Sequence, residues 1–408
     1  MATRRMKGQS SAETRSAILD LIRSSGSVSR SELAVLSGLT EATISKIVKT
    51  LLDQELVIEA GFADSTGGKR PVLLTLNTKA RYAIGVSLDA RSINYVVSDM
   101  SGHAVHHLET EGFGRTTPPL VIKRMAGDIA KLVKRSKLAP GEVVGIGVAA
   151  AGRLDASGGV LRRSRVASDW EDFAIEAALH DATGMRVALD NDGNCAALGE
   201  FWSQRLPADH DFAVVYMATG IGCGLVIDGG LYRGASGNVG EIGHMTVDLN
   251  GPECFCGRRG CLETLAAPAA VVARARANEK LAAALGLEEN TAEDDVRADF
   301  ALIARAAAEG DAGSVALLTE SAQYLATAVV SMANLLDLDT VYLGGPGFAD
   351  AGELYAGTLR RALENGAFMR AVHPVEVRMS SVGAETSALG AASLMLHSHL
   401  TPFRAGRG

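Results

Sequence analysis

The sequence predicts an α/β protein preceded by a small, mostly helical N-terminal domain. From residue 82 onward, strand-like and amphipathic helical segments alternate along the chain, a pattern typical of sheets covered by helices on both faces. Residues before 80 instead show three short helices followed by a hairpin. A chain of 408 residues provides material for several domains at about 100–200 residues each.

The N-terminal domain begins with two short helices. Residues 12–24 carry apolar side chains at helical spacing, and Gly26 ends that helix. Ser29 and Glu32 form the pattern of a capping box, in which each side chain binds the other residue's backbone amide. They predict a second helix that stops at Gly38.

A third helix begins after Thr40, and two strands follow it. Its apolar stripe consists of Ile44, Ile47, Val48, Leu51 and Leu52. Strand-like residues 56–58 and 72–76 flank a turn-rich segment. Three helices and a hairpin in this order predict a winged helix-turn-helix domain over residues 1–80.

The remainder of the chain reads as repeated strand and helix segments. The predicted strands are 83–88, 93–98, 143–149, 186–190, 213–217, 225–227 and 341–343. The predicted helices are 119–136, 172–182, 193–204, 265–285, 298–309, 313–336, 352–364 and 385–398. Residues 284–297 are acidic and turn-rich, which favours a surface insertion.

Charge and cysteine content restrict the class of protein. The net charge of −7 divides unevenly: residues 1–80 carry 11 basic and 8 acidic side chains, and the rest carry 29 basic and 39 acidic. Five cysteines are too few for a disulfide framework in a chain of this length. Without an apolar run of about 18 residues or a secretory signal pattern, we expect a cytoplasmic protein with no membrane partner.

One compact motif has the residue types that bind zinc. His244 is followed by Cys254, Cys256 and Cys261, with two glycines between the last two cysteines. Thiolate and imidazole are the preferred ligands of Zn²⁺, and three cysteines with one histidine make a closed structural site. The alternative is a set of ordinary buried cysteines. The clustering favours one structural Zn²⁺ per chain.

Four segments together resemble the ROK family (repressors, open reading frames and sugar kinases). Residues 231–248 (LYRGASGNVGEIGHMTVD) and 254–263 (CFCGRRGCLE) are similar to its zinc signature. Residues 189–194 (LDNDGN) resemble its sugar-binding stretch, and residues 218–224 (ATGIGCG) resemble its second phosphate loop. The winged helix ahead of them resembles the repressor branch of the family.

The resemblance implies an actin-like ATPase fold with two ribonuclease-H-like lobes. The expected domains are the winged helix (1–80), a small lobe (81–190 plus 388–403) and a large lobe (191–387). The resemblance also implies a sugar site between the lobes, formed by Asn191, Asp192, Glu241, His244 and Glu263. His244 would serve both sites, with one ring nitrogen on the metal and the other toward the ligand.

The chain departs from the family's kinases at the first phosphate loop. In those kinases, the residue matching Asp192 is the general base, and the first strand is followed by Asp-x-Gly-Gly-Thr. Here the matching stretch is Ser87-Leu88-Asp89-Ala90-Arg91. A carboxylate would repel phosphate, and side chains would block close backbone approach. We therefore predict a non-enzyme in which Asp192 binds the ligand, with an ATP-dependent sugar kinase as the alternative.

The effector is expected to be a sugar or sugar derivative. Arg162, Arg163 and Arg165 lie close together in the sequence. They form either an exposed basic turn or a contact for an acidic or phosphorylated effector, because guanidinium pairs well with such groups.

The winged helix is predicted to bind double-stranded DNA. The third helix would enter the major groove, and the wing would reach phosphates or the minor groove. Candidate contacts are Thr40, Glu41, Thr43, Ser45, Lys46 and Lys49 on the helix and Lys69 and Arg70 on the wing. A winged helix that binds protein is the alternative. Because one head makes few phosphate contacts, we expect a homodimer or homotetramer on a palindromic operator, with sugar binding closing the lobes and lowering DNA affinity.

Overall fold

The computed structural model describes residues 10–63, 70–139, 141–155, 159–163, 168–207, 209–287 and 296–400. Within them the chain forms an N-terminal helical head and a body of two five-stranded sheets. The α/β class predicted from the alternation of segments is confirmed.

The head consists of three helices and a three-stranded antiparallel sheet. Its elements are α1 (Ser11–Ser25), β1 (Val28–Ser29), α2 (Arg30–Ser37), α3 (Glu41–Asp53), β2 (Val57–Phe62) and β3 (Val72–Leu76). The strands pair antiparallel in the order β1-β3-β2. The predicted capping box at α2 is present, since Ser29 and Glu32 each accept from the other's backbone amide. Ile18, Leu33, Ile44 and Leu74 are fully buried at its centre.

The segment that follows the head contains the first five-stranded sheet. Its elements are β4 (Tyr82–Leu88), β5 (Ser92–Asp99), β6 (Ala104–Glu111), α4 (Pro118–Ser136), β7 (Val143–Ala150), β8 (Arg153–Asp155), β9 (Val160–Arg163), α5 (Ile175–Thr183) and β10 (Val187–Asn191). Strand order is β10-β7-β4-β5-β6, and β8 and β9 form a separate hairpin. The sequence missed β6 because its side chains are mostly exposed and show no apolar alternation.

The remaining described segment contains the second five-stranded sheet. Its elements are α6 (Asp192–Ser203), β11 (Phe212–Met217), β12 (Ile221–Ile227), β13 (Gly230–Leu231), α7 (Leu262–Ala266), α8 (Pro268–Ala277), α9 (Glu279–Leu285), α10 (Val296–Ala308), α11 (Ala312–Leu336), β14 (Thr340–Gly344), α12 (Gly352–Gly366), β15 (Glu376–Met379) and α13 (Thr386–Leu400). The strand order of the second sheet is β13-β12-β11-β14-β15. In both sheets the first three strands in the chain pair antiparallel with one another, and two later strands are added in parallel pairs.

One predicted helix is wrong. Residues 265–285 form three helices, not one, because Ala267 is extended and Pro268 starts α8. Steric clash with proline drives the preceding residue out of the helical region. Asn278 then caps α9 with its side chain.

Helices α6 and α13 join the two halves of the body. α13 packs on β4, β5 and β7 of the first sheet, whereas α6 packs on β11 and β12 of the second, and the two helices pack on each other. The last helix of the described part thus returns to the first sheet. The domain limits 1–80, 81–190 with 388–403, and 191–387 stay predictions, and residues 401–403 lie outside the described part.

α11 is the one described helix that could cross a membrane by length and apolar composition. Its residues Leu318, Leu325 and Val329 are fully buried in the core of the second half. That burial is typical of the core helix of a globular lobe.

Candidate functional site

The candidate site lies where the N-terminal end of α6 meets the turn between β11 and β12. Strand β10 ends at Asn191, and its side chain accepts from the Gly193 amide at 2.8 Å and so caps α6. Asp192 is the first residue of the helix, and its carboxylate also accepts from that amide, at 2.9 Å. Free amides at a helix N-terminus favour acceptors and negative charge there.

Three predicted acidic residues and Asp89 share this region. Burial raises the pKa of Asp192 to about 7, and the carboxylates of Glu241 and Asp89 add to the rise. Glu241 is exposed, yet the surrounding protein raises the pKa of its carboxyl, and Glu263 raises it further. Asp192, Glu241 and Glu263 thus act on one another electrostatically as one cluster, hereafter named the inter-lobe site after the predicted lobes, and Asp89 of the β4–β5 turn acts on Asp192.

The Glu263 carboxylate lies beside Gly220. The residue lies in the first turn of α7, and its carboxylate reaches the turn between β11 and β12. A Cβ on Gly220 would lie 2.5 Å from Glu263 Oε2, so a side chain at this position would displace the carboxylate. Gly220 of the predicted second phosphate loop thus leaves space for the carboxylate in the position that the structure shows.

The four predicted metal ligands converge. The ligand atoms of His244, Cys254, Cys256 and Cys261 all lie within 4.8 Å of one another. His244 Nδ1 is 3.6 Å from Cys254 Sγ, and Cys256 Sγ is 3.6 Å from Cys261 Sγ. A tetrahedron with metal–sulfur bonds of about 2.3 Å has edges of about 3.8 Å. Donor types and spacing therefore fit one tetrahedral metal ion.

The loop that carries these cysteines folds back through glycine. Gly260 has a φ of +62°, and a Cβ there would lie 1.5 Å from the carbonyl oxygen of Asp248. Its own carbonyl accepts from the Val247 amide at 2.8 Å. Cys261 then begins α7 as its N-cap. A metal at this loop would thereby fix the position of Glu263, two residues further on.

His244 links the metal cluster to the inter-lobe site. Its Nδ1 faces Cys254, and the Phe255 ring packs edge-on at 5.1 Å between centroids. His244 also lowers the pKa of the Glu241 carboxyl. One ring nitrogen is thus directed to the metal cluster, in the geometry by which a metal fixes a histidine's tautomer.

Sequence reasoning missed two contacts that hold the loop before His244. Arg233 pairs with the buried carboxylate of Asp190 at 2.6 Å. The Asn238 amide both donates to and accepts from the backbone of Leu154, each at 2.9 Å. Arg153, next to Leu154, lowers the pKa of Glu241. Nothing in the spacing of these residues indicates their pairing, although Arg233 lies within the signature segment 231–248.

The two remaining cysteines are buried and lie outside the metal cluster. Cys195 and Cys223 are 0% and 1% exposed. Burial raises the pKa of the Cys223 thiol to about 12, so it packs as a neutral side chain.

The candidate DNA-binding residues form an exposed surface on the head. Thr40, Glu41, Thr43, Ser45, Lys46 and Lys49 are all exposed. Thr40 caps α3, since its hydroxyl accepts from the Thr43 amide at 3.3 Å. Arg70, two residues before β3, is exposed. Lys69, Arg165 and the side chains of Arg162 and Arg163 lie outside the described part of the structure.

Comparisons with known proteins place the chain in a family. The model of the ROK family matches residues 83–398. The chain is 27% identical over 387 residues to the xylose repressor of Bacillus spizizenii, with 94% of each chain covered. It is 31% identical over 312 residues to the glucokinase of Thermotoga maritima, covering 76% of this chain and 96% of that one. Among solved structures, a ROK family transcriptional regulator described as a homolog of the E. coli MLC protein has a TM-score of 0.73 at 24% identity, covering 95% of this chain and 97% of that one. The chain belongs to the ROK family, and its two repeated sheets are those of the family's sugar-kinase-like, actin-like fold.

Proposed function

We propose that the protein is a DNA-binding transcription regulator, acting as a repressor of carbohydrate uptake or catabolism genes, whose operator affinity changes when a sugar binds. One observation carries this proposal: the similarity to the xylose repressor extends over 94% of both chains. The glucokinase of Thermotoga maritima matches 76% of this chain. The head is thus what the kinase relative lacks and the repressor relative shares.

The exposed face of α3 is the proposed major-groove surface. Lys46 and Lys49 would hold phosphates, whereas Thr43 and Ser45 are short enough to reach base edges. Arg70 and Lys69 would act from the wing. Because one such head makes few phosphate contacts, the proposed assembly is a homodimer or homotetramer on a palindromic operator.

The inter-lobe site is the proposed sugar site. Sugar hydroxyls donate to carboxylates and accept from amide or imidazole N–H groups. Asp192, Glu241 and Glu263 supply the acceptors, while Asn191 and His244 supply polar groups able to donate. The clustered carboxylates disfavour an anionic effector, so a neutral sugar is proposed over a sugar phosphate.

The metal is proposed to be Zn²⁺ with a structural role. Three cysteines and one histidine complete the tetrahedron and leave no ligand position for substrate. The metal would be held by His244, Cys254, Cys256 and Cys261. Glu241 precedes the first of these ligands by three residues, and Glu263 follows the last by two. When bound, the metal would anchor two of the three carboxylates.

The β4–β5 turn supports a non-enzymatic role. The Arg91 amide donates to the side chain of Asp89 at 3.0 Å, so this donor is not directed at a phosphate. Asp89 also places a negative charge near Asp192. Phosphoryl transfer depends on positioning and on neutralising phosphate charge, and this turn works against both.

Genome-wide DNA footprinting with the purified protein tests the proposal. We expect protected palindromes next to sugar transport or catabolic genes, and their loss in Thr43→Ala/Lys46→Ala protein. Lys123→Ala, which removes an exposed lysine from α4, serves as the matched control. Protection of random genomic positions by both the parent protein and the double variant would reject the proposal.

A sugar kinase with a DNA-binding head is the second candidate, favoured by Asp192 and by the 31% identity to a glucokinase. An assay of ATP consumption over a panel of hexoses and amino sugars separates the two. Robust turnover that Asp192→Asn abolishes would establish the kinase instead. Control by a protein partner such as a sugar-transport component is a third possibility, and it would show as an operator response to that protein but to no sugar.

A further inference from the structure

Arg23 is a buried arginine that crosses from the head to the body. It lies near the end of α1 and is 3% exposed. Its Nη1 donates to the carbonyl oxygens of Phe201 and Trp202 at 3.1 and 3.3 Å. Its guanidinium also lies 4.7 and 4.8 Å from the centroids of these two rings. The head is thus fastened to the last turn of α6.

Packing alone does not explain a charge at this position. Burying a guanidinium is costly unless it is paired and hydrogen-bonded. Here Asp20 pairs with Arg23 at 3.3 Å, and the C-terminal end of α6 offers carbonyls at the negative end of the helix dipole. A methionine would fill the same space without these costs. These contacts of Arg23 therefore form only when α1 and α6 have this relative orientation.

The surrounding contacts hold this junction together. Trp202 donates its indole N–H to the Met100 carbonyl at 2.9 Å. Ile18 and Ile22 of α1 belong to one apolar cluster with Trp202 and Met395. A shift in the last turn of α6 would therefore be transmitted to the head.

The other end of α6 is the inter-lobe site. Asn191 caps this helix and Asp192 begins it, about 15 Å from Trp202 at a rise of about 1.5 Å per residue. All residues from Gly193 to Trp202 are buried. A helix enclosed in this way moves as a unit, so displacement at one end reaches the other.

We propose that Arg23 is a positioning residue that couples the inter-lobe site to the orientation of the DNA-binding head through α6. The inference rests on the proposed function, because it assigns the route by which sugar changes operator affinity. Sugar bound at Asp192 shifts α6, and the guanidinium carries the shift to α1 and so to α3.

The test measures operator affinity with and without saturating sugar, together with sugar affinity by calorimetry. Arg23→Met removes the donors but keeps the bulk, and Arg23→Lys keeps the charge but removes the planar fork. Arg15→Met is the control, since Arg15 lies on the same helix and is only partly buried. Allosteric factors are typically about 5–150-fold.

We expect Arg23→Met to reduce the sugar-induced change in operator affinity by about tenfold or to abolish it, with sugar affinity in the absence of DNA changed less than about twofold. Arg23→Lys, which is also the fallback if the methionine variant does not fold, should reduce the change by about threefold. Arg15→Met should respond as the parent protein does. A full sugar response in folded Arg23 variants would overturn the inference and leave the proposed function standing. No sugar response in the parent protein would overturn both.

Discussion

Replacing Asp192 by Asn should stabilise the protein, and increasingly so as the pH rises. Burial and two nearby carboxylates raise the pKa of Asp192 to about 7 in the folded chain, against about 3.9 for an unperturbed aspartate. The native state therefore keeps a proton that the unfolded state has released. Ionisation of the buried carboxyl destabilises the native state. The free energy of unfolding of the wild-type protein therefore falls as the pH rises from about 4 to about 7.

The magnitude follows from the size of the shift. A difference of about 3 pKa units at 1.36 kcal/mol each gives an upper bound of about 4 kcal/mol above pH 7. Asn has nearly the same shape, can still cap the Gly193 amide and carries no charge. We expect Asp192→Asn to exceed the parent in free energy of unfolding by about 2–4 kcal/mol at pH 8 and to match it near pH 4.

Urea denaturation of both proteins at intervals from pH 4 to pH 8.5 measures this difference in free energy of unfolding. Subtracting the two curves cancels the other groups that titrate. Asp311→Asn is the control, because Asp311 caps α11 by accepting from the Ser314 amide at 2.7 Å, and this hydrogen bond lowers its pKa. This variant should show no gain in stability as the pH rises. A flat difference for Asp192→Asn, or one that falls as the pH rises, would show that folding does not raise the pKa of Asp192.

Three further predictions concern the metal loop and the head. Gly260→Ala should lower bound zinc well below one per chain, because its Cβ would meet a backbone carbonyl at 1.5 Å; Gly286→Ala, with a similar φ of +67° but open space, should keep the metal. Cys256→Ser should release zinc to a colorimetric chelator faster than Cys223→Ser, and equal rates would argue against the ligand set. Lys49→Ala should weaken operator binding and reduce its salt slope by about 1, whereas an unchanged slope would remove Lys49 from the phosphate contacts.

The features that the sequence predicted well are local. The Ser29–Glu32 capping box depends on a three-residue spacing and is present. The ligands His244, Cys254, Cys256 and Cys261 lie within one short segment, so chain geometry alone brings them close. Residues that are close in sequence can be predicted to meet because the short backbone segment between them keeps them close together.

The features that the sequence could not predict depend on distant contacts. Arg23 meets Trp202 across 179 residues, and no periodicity marks either residue as a partner of the other. Asn238 binds Leu154 across 84 residues. Strand β6 lies at a sheet edge with mostly exposed side chains, so it lacks the apolar alternation that identifies strands. Tertiary contacts determine all three.

Operator affinity measured by gel shift across a panel of neutral sugars shows whether sugar binding controls DNA binding. At least one neutral sugar should weaken operator binding by about fivefold or more, and Glu263→Gln, which alters the inter-lobe site while leaving the head intact, should remove this response. Operator binding that is unchanged by every sugar in the panel would show that neutral sugars do not control this protein.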